Sequence, residues 1–437
     1  MPDVSVGSQI FDIAFHPTHC TAYTALLSGT VKAISYDHQG RSKESFSVSV
    51  SQRSCRGISV NADGSNIYVV GKGKALHTID TATGKRAQTR AKAHEVAINR
   101  VRHLTPWLLS TGDDDGVIKL WDPRQKESIR KYTHHFDYIT DFLWLDDKKQ
   151  LVATSGDGTL SVMDVRSKNI KPIAQSEDQE DELLSIVAIK GSTKFAVGTQ
   201  IGVLSIFNRS SGWGDCVDRI PGHPHSVDTL CALPESFTDV DATSTILTGS
   251  SDGFVRAVQI FPTKLLGVVA DHGEWPVERV AIGDGKDFLD LEDEEEEITP
   301  VATKEENDDD GKSPDARWWV GSVGHDETLK LTSLRGFFDR EKGGDNEEEG
   351  EGEGEGESEG SGTGSSEDEE EEATDNRADN EAKQSVSEAD EHDDDSDSDS
   401  PAIPTKRKRK TEKNPMAVKR KKGKNEVEVE GRFFDDL

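Results

Sequence analysis

Short runs in which apolar and polar residues alternate recur along the first 340 residues, and a polar turn bounds each of them. The clearest run lies in residues 110–124, STGDDDGVIKLWDPR, where a turn at Asp115 and Gly116 precedes an alternating run that ends at Trp121 and Asp122. Alternation with a period of two residues predicts a β-strand with one buried face. We therefore expect strands and turns, rather than helices, over this part of the chain.

The pattern repeats. Aligned on the turn glycine, its copies lie at Gly29, Gly73, Gly116, Gly158, Gly202 and Gly253, with Glu327 in the glycine place of the last copy. A period of about 42–45 residues is typical of a four-stranded β-propeller blade. The longer final gap contains an acidic stretch, at about 287–314, which we interpret as an insertion in the last blade.

Seven inner strands predict an all-β fold with seven blades over residues 1–338. An open ring would leave a sheet edge exposed. Six of the inner strands follow a linker that is long enough to supply the outer strand of the preceding blade. The first inner strand follows only the sequence PDVSV. We therefore predict that residues 2–6 pair with residues 328–334 and close the ring.

Charge divides the chain further. The formal net charge is −32, but most of it lies in residues 287–310 and 341–400, while the basic clusters lie beyond residue 400. Segments with so much charge and so few apolar residues cannot bury a core. We expect a disordered acidic insertion, a disordered acidic tail at 339–405 and a basic segment at 406–437.

The chain start has no basic stretch followed by an apolar run, and no apolar stretch is long enough to span a membrane. The four cysteines are scattered, which favours reduced thiols in an intracellular protein. We expect no membrane association.

At this point the residues resemble the WD40 repeat family. The resemblance rests on Trp121 with Asp122, Gly222 with His223, His94 ahead of an inner strand, and the Asp-Gly turns. The acidic, Ser-rich tail and the Lys/Arg clusters further resemble a group of nucleolar WD-repeat proteins, the fungal ribosome-biogenesis factors and the vertebrate WD-repeat protein numbered fifty-five. This resemblance implies a seven-bladed WD40 propeller that acts as a non-catalytic scaffold in the nucleus and nucleolus, in rRNA production or large-subunit assembly.

His94, Thr111 and Asp115 have the residue types of a base, a nucleophile and an orienting acid, which would suit a hydrolase. The WD40 resemblance implies instead that these residues and Trp121 form a structural hydrogen-bonded set. The second interpretation is favoured because buried polar groups of this kind must be paired. The histidine pairs at 134–135 and 223/225 lack the accompanying ligands of a metal site. We expect no enzyme activity, cofactor or metal.

Two Asp-x-Arg sequences, Asp122 with Arg124 and Asp164 with Arg166, resemble the box by which substrate receptors bind the adaptor of cullin-four ubiquitin ligases. Arginine also follows Trp-Asp in unrelated propellers. The ligase-receptor function therefore stays an alternative to the scaffold.

The basic segment is typical of a two-part nuclear import signal and can also contact RNA weakly through phosphate charge. Its cations are Lys406, Arg407, Lys408, Arg409, Lys410, Lys419, Arg420, Lys421 and Lys422.

The acidic tail has two interpretations: it binds basic ribosomal proteins or histones, or it only keeps the protein soluble. An acidic histone chaperone is therefore a further alternative function. Phe433 and Phe434 are a candidate docking motif. Expected partners are an import receptor and proteins of pre-ribosomal particles, bound by a monomeric propeller.

Overall fold

The first strands of seven antiparallel sheets surround a central channel in the computed structural model, which describes residues 3–285 and 317–344. Blade 1 contains β2 (Ile10–Phe15), β3 (Thr21–Leu26), β4 (Thr30–Tyr36) and β5 (Ser42–Ser49). Blade 2 contains β6 (Cys55–Val60), β7 (Asn66–Gly71), β8 (Leu76–Asp80) and β9 (Lys85–Arg90). Blade 3 contains β10 (Ile98–Thr105), β11 (Leu108–Asp113), β12 (Ile118–Trp121) and β13 (Ser128–Tyr132).

The remaining blades repeat this order. Blade 4 contains β14 (Ile139–Leu145), β15 (Gln150–Ser155), β16 (Leu160–Asp164) and β17 (Ala174–Gln175). Blade 5 contains β18 (Leu183–Ile189), β19 (Lys194–Thr199), β20 (Val203–Asn208) and β21 (Asp218–Pro221), with a 3-10 turn at Arg209–Ser211. Blade 6 contains β22 (Val227–Ala232), β23 (Thr245–Ser250), β24 (Phe254–Gln259) and β25 (Lys264–Asp271). Blade 7 contains β26 (Val277–Asp284), β27 (Trp318–Gly324), β28 (Thr328–Ser333) and β1 (Asp3–Ser5), and α1 (Leu334–Gly344) follows it.

The predicted ring closure is confirmed. The strand β1 pairs antiparallel with β28, with Val4 opposite Leu329, and the Val6 N–H donates to the Glu327 carbonyl at 2.9 Å. The first strand of the chain thereby covers the outer edge of β28 from Thr328 to Lys330 and closes the ring. The predicted insertion lies outside the described residues, between β26 and β27.

One turn differs from the glycine alignment. In blade 2 the left-handed residue of the turn is Lys74, at φ 62°, rather than Gly73, and the Lys74 N–H donates to the Gly71 carbonyl at 3.1 Å. In blade 7 the same conformation is taken by Glu327, at φ 59°. The turn geometry is therefore retained in the two blades that lack a glycine at this position. The left-handed conformation costs about 1–2 kcal/mol at each of these residues because they carry a Cβ.

The hydrophobic core consists of clusters between facing sheets. Between blades 6 and 7, Leu247, Val255 and Val280 pack together, and α1 adds Phe337 and Phe338, which are 2% and 3% exposed. Full burial of such a side chain stabilises the fold by about 1.5–3 kcal/mol. Phe338 is the last buried residue of the described chain, and the helix itself continues to Gly344.

Each first strand begins on one face of the ring and ends on the other, and we call these the upper and lower faces. The turns between second and third strands lie on the upper face, together with the loops that enter each blade. Third strands end on the lower face. Interaction sites can therefore be assigned to a face from their position in the repeat.

Candidate interaction sites on the propeller

The polar set of blade 3 is buried and fully hydrogen-bonded. His94 contacts the Asp113 carboxylate through Nδ1 and the Thr111 hydroxyl through Nε2, both at 2.6 Å, and Trp121 Nε1 donates to Thr111 Oγ1 at 2.8 Å. All four side chains are at most 4% exposed. A substrate cannot reach Thr111 in this arrangement, so the geometry favours the structural interpretation over a nucleophile.

The carboxylate of this set is Asp113, and the assignment to Asp115 is wrong. Asp115 is exposed, and its backbone N–H donates to Asp113 Oδ1 at 3.1 Å. Asp113 also accepts from the Val117 N–H at 2.8 Å, so that one carboxylate fixes both the histidine and the turn. Burial lowers the pKa of His94, and the nearby Asp113 opposes this shift.

Related sets occur in three other blades. His135 contacts Asp157 at 3.0 Å and Ser161 at 2.7 Å, and His272 contacts Asp326 and Ser322, both at 2.8 Å. In blade 6, His223 contacts Thr248 at 2.9 Å, while Asp252 pairs with Arg256 at 2.8 Å. The sequence analysis missed the sets of His135 and His272, although both histidines precede an inner strand as His94 does. No group of three potential metal ligands lies among residues 3–285 and 317–344.

The upper end of the channel carries a ring of seven side chains that we call the upper rim. Each blade has a register shift between the first and third residues of its inner strand, which makes the second residue a β-bulge. A bulge re-aims a side chain out of the regular alternation. The seven bulge residues are Phe11, Arg56, Asn99, Thr140, Leu184, Asp228 and Glu278.

The upper rim is cationic on one side and acidic on the other. Arg56 donates to Asn99 Oδ1 at 2.6 Å and pairs with Asp114 at 2.9 Å. Across the rim, Glu278 contacts His325 Nε2 at 2.5 Å and raises the His325 pKa. Burial raises the pKa of the Asp228 carboxyl to about 7.

Loops extend both sectors of the upper face. The loop of residues 176–182, SEDQEDE, carries five carboxylates between blades 4 and 5, whereas Lys72 and Lys74 are exposed on blade 2. Two exposed aromatic side chains lie in loops of the acidic part, Phe136 at 90% and Trp275 at 55%. Trp213, by contrast, is buried against Phe195 with ring centroids 4.4 Å apart.

Inside the channel, four charged side chains form a closed ring of alternating sign that we call the channel quartet. Arg100 lies 3.4 Å from Asp12 and 3.6 Å from Asp141, and Arg279 lies 3.3 Å and 3.4 Å from the same two carboxylates. Burial raises the pKa of both aspartates, and Arg100 opposes the shift. The sequence analysis missed this quartet.

An alignment of the inner strands would have indicated this quartet, because each of its four residues directly follows the bulge residue of its strand. The segments read IFD in blade 1, INR in blade 3, ITD in blade 4 and VER in blade 7. Opposite charges at one repeat position therefore predict a polar layer across the channel.

The two Asp-x-Arg sequences adopt matched conformations on the lower face. Arg124 donates Nε and Nη2 to Asp122 at 2.9 and 2.7 Å, and Arg166 does so to Asp164 at 3.0 and 2.8 Å. The arginines lower the pKa of both carboxyls. Arg124 also stacks on the exposed Trp107 ring at 4.1 Å, which makes blade 3 the richer of the two contact points.

The remaining sequence-predicted sites, the basic clusters, the acidic tail, and Phe433 with Phe434, lie outside the described residues. Within the part that is described, no helix is long and apolar enough to cross a membrane.

Comparison with known proteins agrees with the repeat. A sequence model of the family described as WDR55 matches residues 1–299. A "WD repeat-containing protein JIP5" of Laccaria bicolor is 62% identical over 350 residues, which cover 77% of this chain and 76% of that protein. "WD repeat-containing protein 55" of Arabidopsis thaliana and of Bos taurus are each 33% identical, over 66% of this chain and 78% and 72% of their own lengths.

Proposed function

Because this chain belongs to the WDR55 family of WD-repeat propellers, which are generally non-catalytic scaffolds, we propose that it is a nuclear and nucleolar scaffold in ribosome biogenesis. The function would be assembly of pre-ribosomal particles through the upper face. The acidic tail and the basic clusters agree with this role, since they combine capture of basic proteins with an import address.

The observation that carries the proposal is the acidic part of the upper face. Asp228, Glu278 and the five carboxylates of residues 176–182 concentrate negative charge around blades 4–7, next to the exposed Phe136 and Trp275. Aromatic side chains are enriched among the residues that dominate binding energy, and complementary charge steers the partner. A basic, extended segment of a ribosomal protein or assembly factor has the matching chemistry.

The test is affinity purification of the tagged full-length protein from nuclear extract at two salt concentrations, with mass spectrometry and northern blots for precursor rRNA. The test variant combines Phe136→Ala with Glu180→Lys, both exposed positions on upper-face loops. We expect wild type to retain assembly factors and precursor rRNA, and the variant to lose them. The matched control is Arg124→Ala on the lower face, which should retain both.

A second function is favoured by the paired lower-face arginines. Two identical Asp-x-Arg conformations in adjacent blades, with Arg124 against Trp107, would suit the adaptor of cullin-four ubiquitin ligases. The same purification separates the two functions. Recovery of the adaptor that Arg124→Ala abolishes, without pre-ribosomal material, would refute the scaffold. Salt-sensitive recovery of histones without precursor rRNA would instead indicate a histone chaperone.

A further inference from the structure

The lower half of the channel is a cavity of about 550 Å³ between the channel quartet and the lower face. This volume lies within the ~300–1,000 Å³ of typical ligand pockets. Its mouth is lined by half-buried residues at equivalent positions of the inner strands, which are apolar in five blades and histidine in blade 3: Phe15, Val60, His103, Ala188, Ala232 and Ile282. We call this opening the lower mouth.

The wall of the lower mouth carries one exposed cation, Arg102, whose charge lowers the pKa of the channel aspartates Asp12 and Asp141 without forming a salt bridge to either. Arg102 is exposed and donates through Nη1 to the Phe142 carbonyl at 3.1 Å. Within residues 3–285 and 317–344, no carboxylate forms a salt bridge with it. The two arginines and two aspartates of the channel quartet balance each other in charge. A segment that binds in the lower mouth should therefore be apolar and carry an acidic group that can contact Arg102.

The chain itself contains such a segment twice. Residues 335–339 read RGFFD and residues 431–435 read GRFFD, which is followed by Asp436 and Leu437. The first copy is part of α1, where Phe337 and Phe338 are nearly fully buried and the Phe338 and Phe237 rings lie 5.5 Å apart. The first copy of the Phe-Phe-Asp sequence therefore packs its two phenylalanines against the propeller.

We propose that residues 431–437 dock in the lower mouth of the same molecule. Phe433 and Phe434 contact the apolar wall, and Asp435 and Asp436 face Arg102. The connecting residues 345–430 number 86, and even at the ~1.5 Å per residue of a helix they would span about 130 Å. Chain length therefore does not keep the segment from the channel.

The test is site-specific photocrosslinking in the full-length protein. Phe434 is replaced by p-benzoylphenylalanine, and a second protein carries the same group at Met416 as the matched control. We expect position 434, but not 416, to crosslink to residues of the lower mouth such as Phe15 or Ile282. The product should be intramolecular, with a yield independent of protein concentration.

Two variants and a competitor locate the contact. Ala232→Trp narrows the mouth, and Arg102→Gln, at an exposed position, removes the positive charge and keeps a donor for the Phe142 carbonyl. Each should reduce the crosslink yield by about tenfold, which corresponds to about 1.4 kcal/mol. A free peptide of residues 431–437 should compete, whereas the same peptide with both phenylalanines replaced by alanine should not.

Crosslinks elsewhere on the propeller, or between two copies, would overturn the proposal. So would a yield that neither variant changes, provided that their unfolding temperatures match that of wild type.

Discussion

The channel quartet offers the sharpest test of the energetics of this ring. Replacing Arg279 with methionine keeps much of the side-chain volume and removes a guanidinium that lies 3.3 Å and 3.4 Å from the Asp12 and Asp141 carboxylates. Both aspartates are at most 7% exposed, so water cannot replace the lost partner. The substitution thus leaves two buried carboxylates with one guanidinium in ion-pair contact, that of Arg100, and the charge of Arg102 farther away.

Removing one member of a buried ion pair costs about 3–5 kcal/mol. Because Arg100 stays within 3.4 Å and 3.6 Å of the two carboxylates, we expect Arg279→Met to reduce the free energy of unfolding by about 2–3 kcal/mol at pH 7.5. For a propeller of roughly 300 residues this lowers Tm by about 3–5 °C. The matched control, Arg124→Met, removes a solvent-exposed guanidinium and should lower Tm much less than Arg279→Met does.

The pH dependence identifies the cause. Burial already raises the pKa of Asp12 and Asp141 in the folded protein. Because Arg279 lies 3.3 Å and 3.4 Å from the two carboxylates, we expect its loss to raise both pKa values further. A carboxyl whose pKa is raised on folding destabilises the fold as the pH rises through the window between its unfolded and folded values. The cost of Arg279→Met should therefore shrink as the pH falls from 7.5 towards 4.5, where protonation neutralises the unpaired carboxyls.

The assay is thermal unfolding, followed by tryptophan fluorescence, of wild type, Arg279→Met and Arg124→Met at several pH values. A Tm difference for Arg279→Met that stays the same at every pH would refute this account, because a packing defect alone does not titrate. A loss no larger than that of Arg124→Met would show that the quartet contributes no more than an exposed pair.

Three further predictions follow from the geometry. Asp113→Asn should reduce the free energy of unfolding by about 1–3 kcal/mol, since it weakens a buried acceptor, whereas Asp115→Asn should change it by less than about 0.5 kcal/mol; denaturant titration separates them. Gly253→Ala should lower Tm more than Gly212→Ala, because both residues have φ near +90° but only at Gly253 would a Cβ lie 2.0 Å from a backbone oxygen, that of residue 273. Binding of an arginine-rich probe peptide to the upper face should tighten from pH 6 to pH 8 as Asp228 ionises, and Asp228→Asn should flatten that dependence in fluorescence anisotropy.

The repeat period predicted the fold well because each blade is a local unit whose alternating strands can be identified one at a time. Ring closure was also predictable, since a first inner strand without a preceding outer strand leaves one edge to be covered. The contacts of His94 with Thr111, and of Thr111 with Trp121, follow from the same repeat positions.

The features that were not predicted depend on the direction in which a side chain points and on contacts between residues far apart in the sequence. Asp113 and Asp115 flank one turn, and only the backbone conformation decides which carboxylate faces His94. The members of the channel quartet come from four blades, and Arg279 is 138 residues from Asp141. Their pairing needs the closed ring, which brings equal repeat positions face to face.

The β-bulge at the start of every inner strand explains how so degenerate a repeat can keep its fold and still present a distinct binding surface. The residue before each bulge is apolar and buried, as Ile10 and Val277 are, and it holds the strand in the core. The bulge residue next to it is released from that core, so Phe11 and Glu278 can occupy the same position at no cost in packing. The residue after it faces the channel, where the quartet cross-links the blades. Three consecutive positions thus serve three separate physical tasks. Thr140 is an exception, because it is buried and donates to Thr154 and to the Leu183 carbonyl. At half-buried bulge residues such as Phe11 and Glu278, substitutions should change recognition without changing the ring.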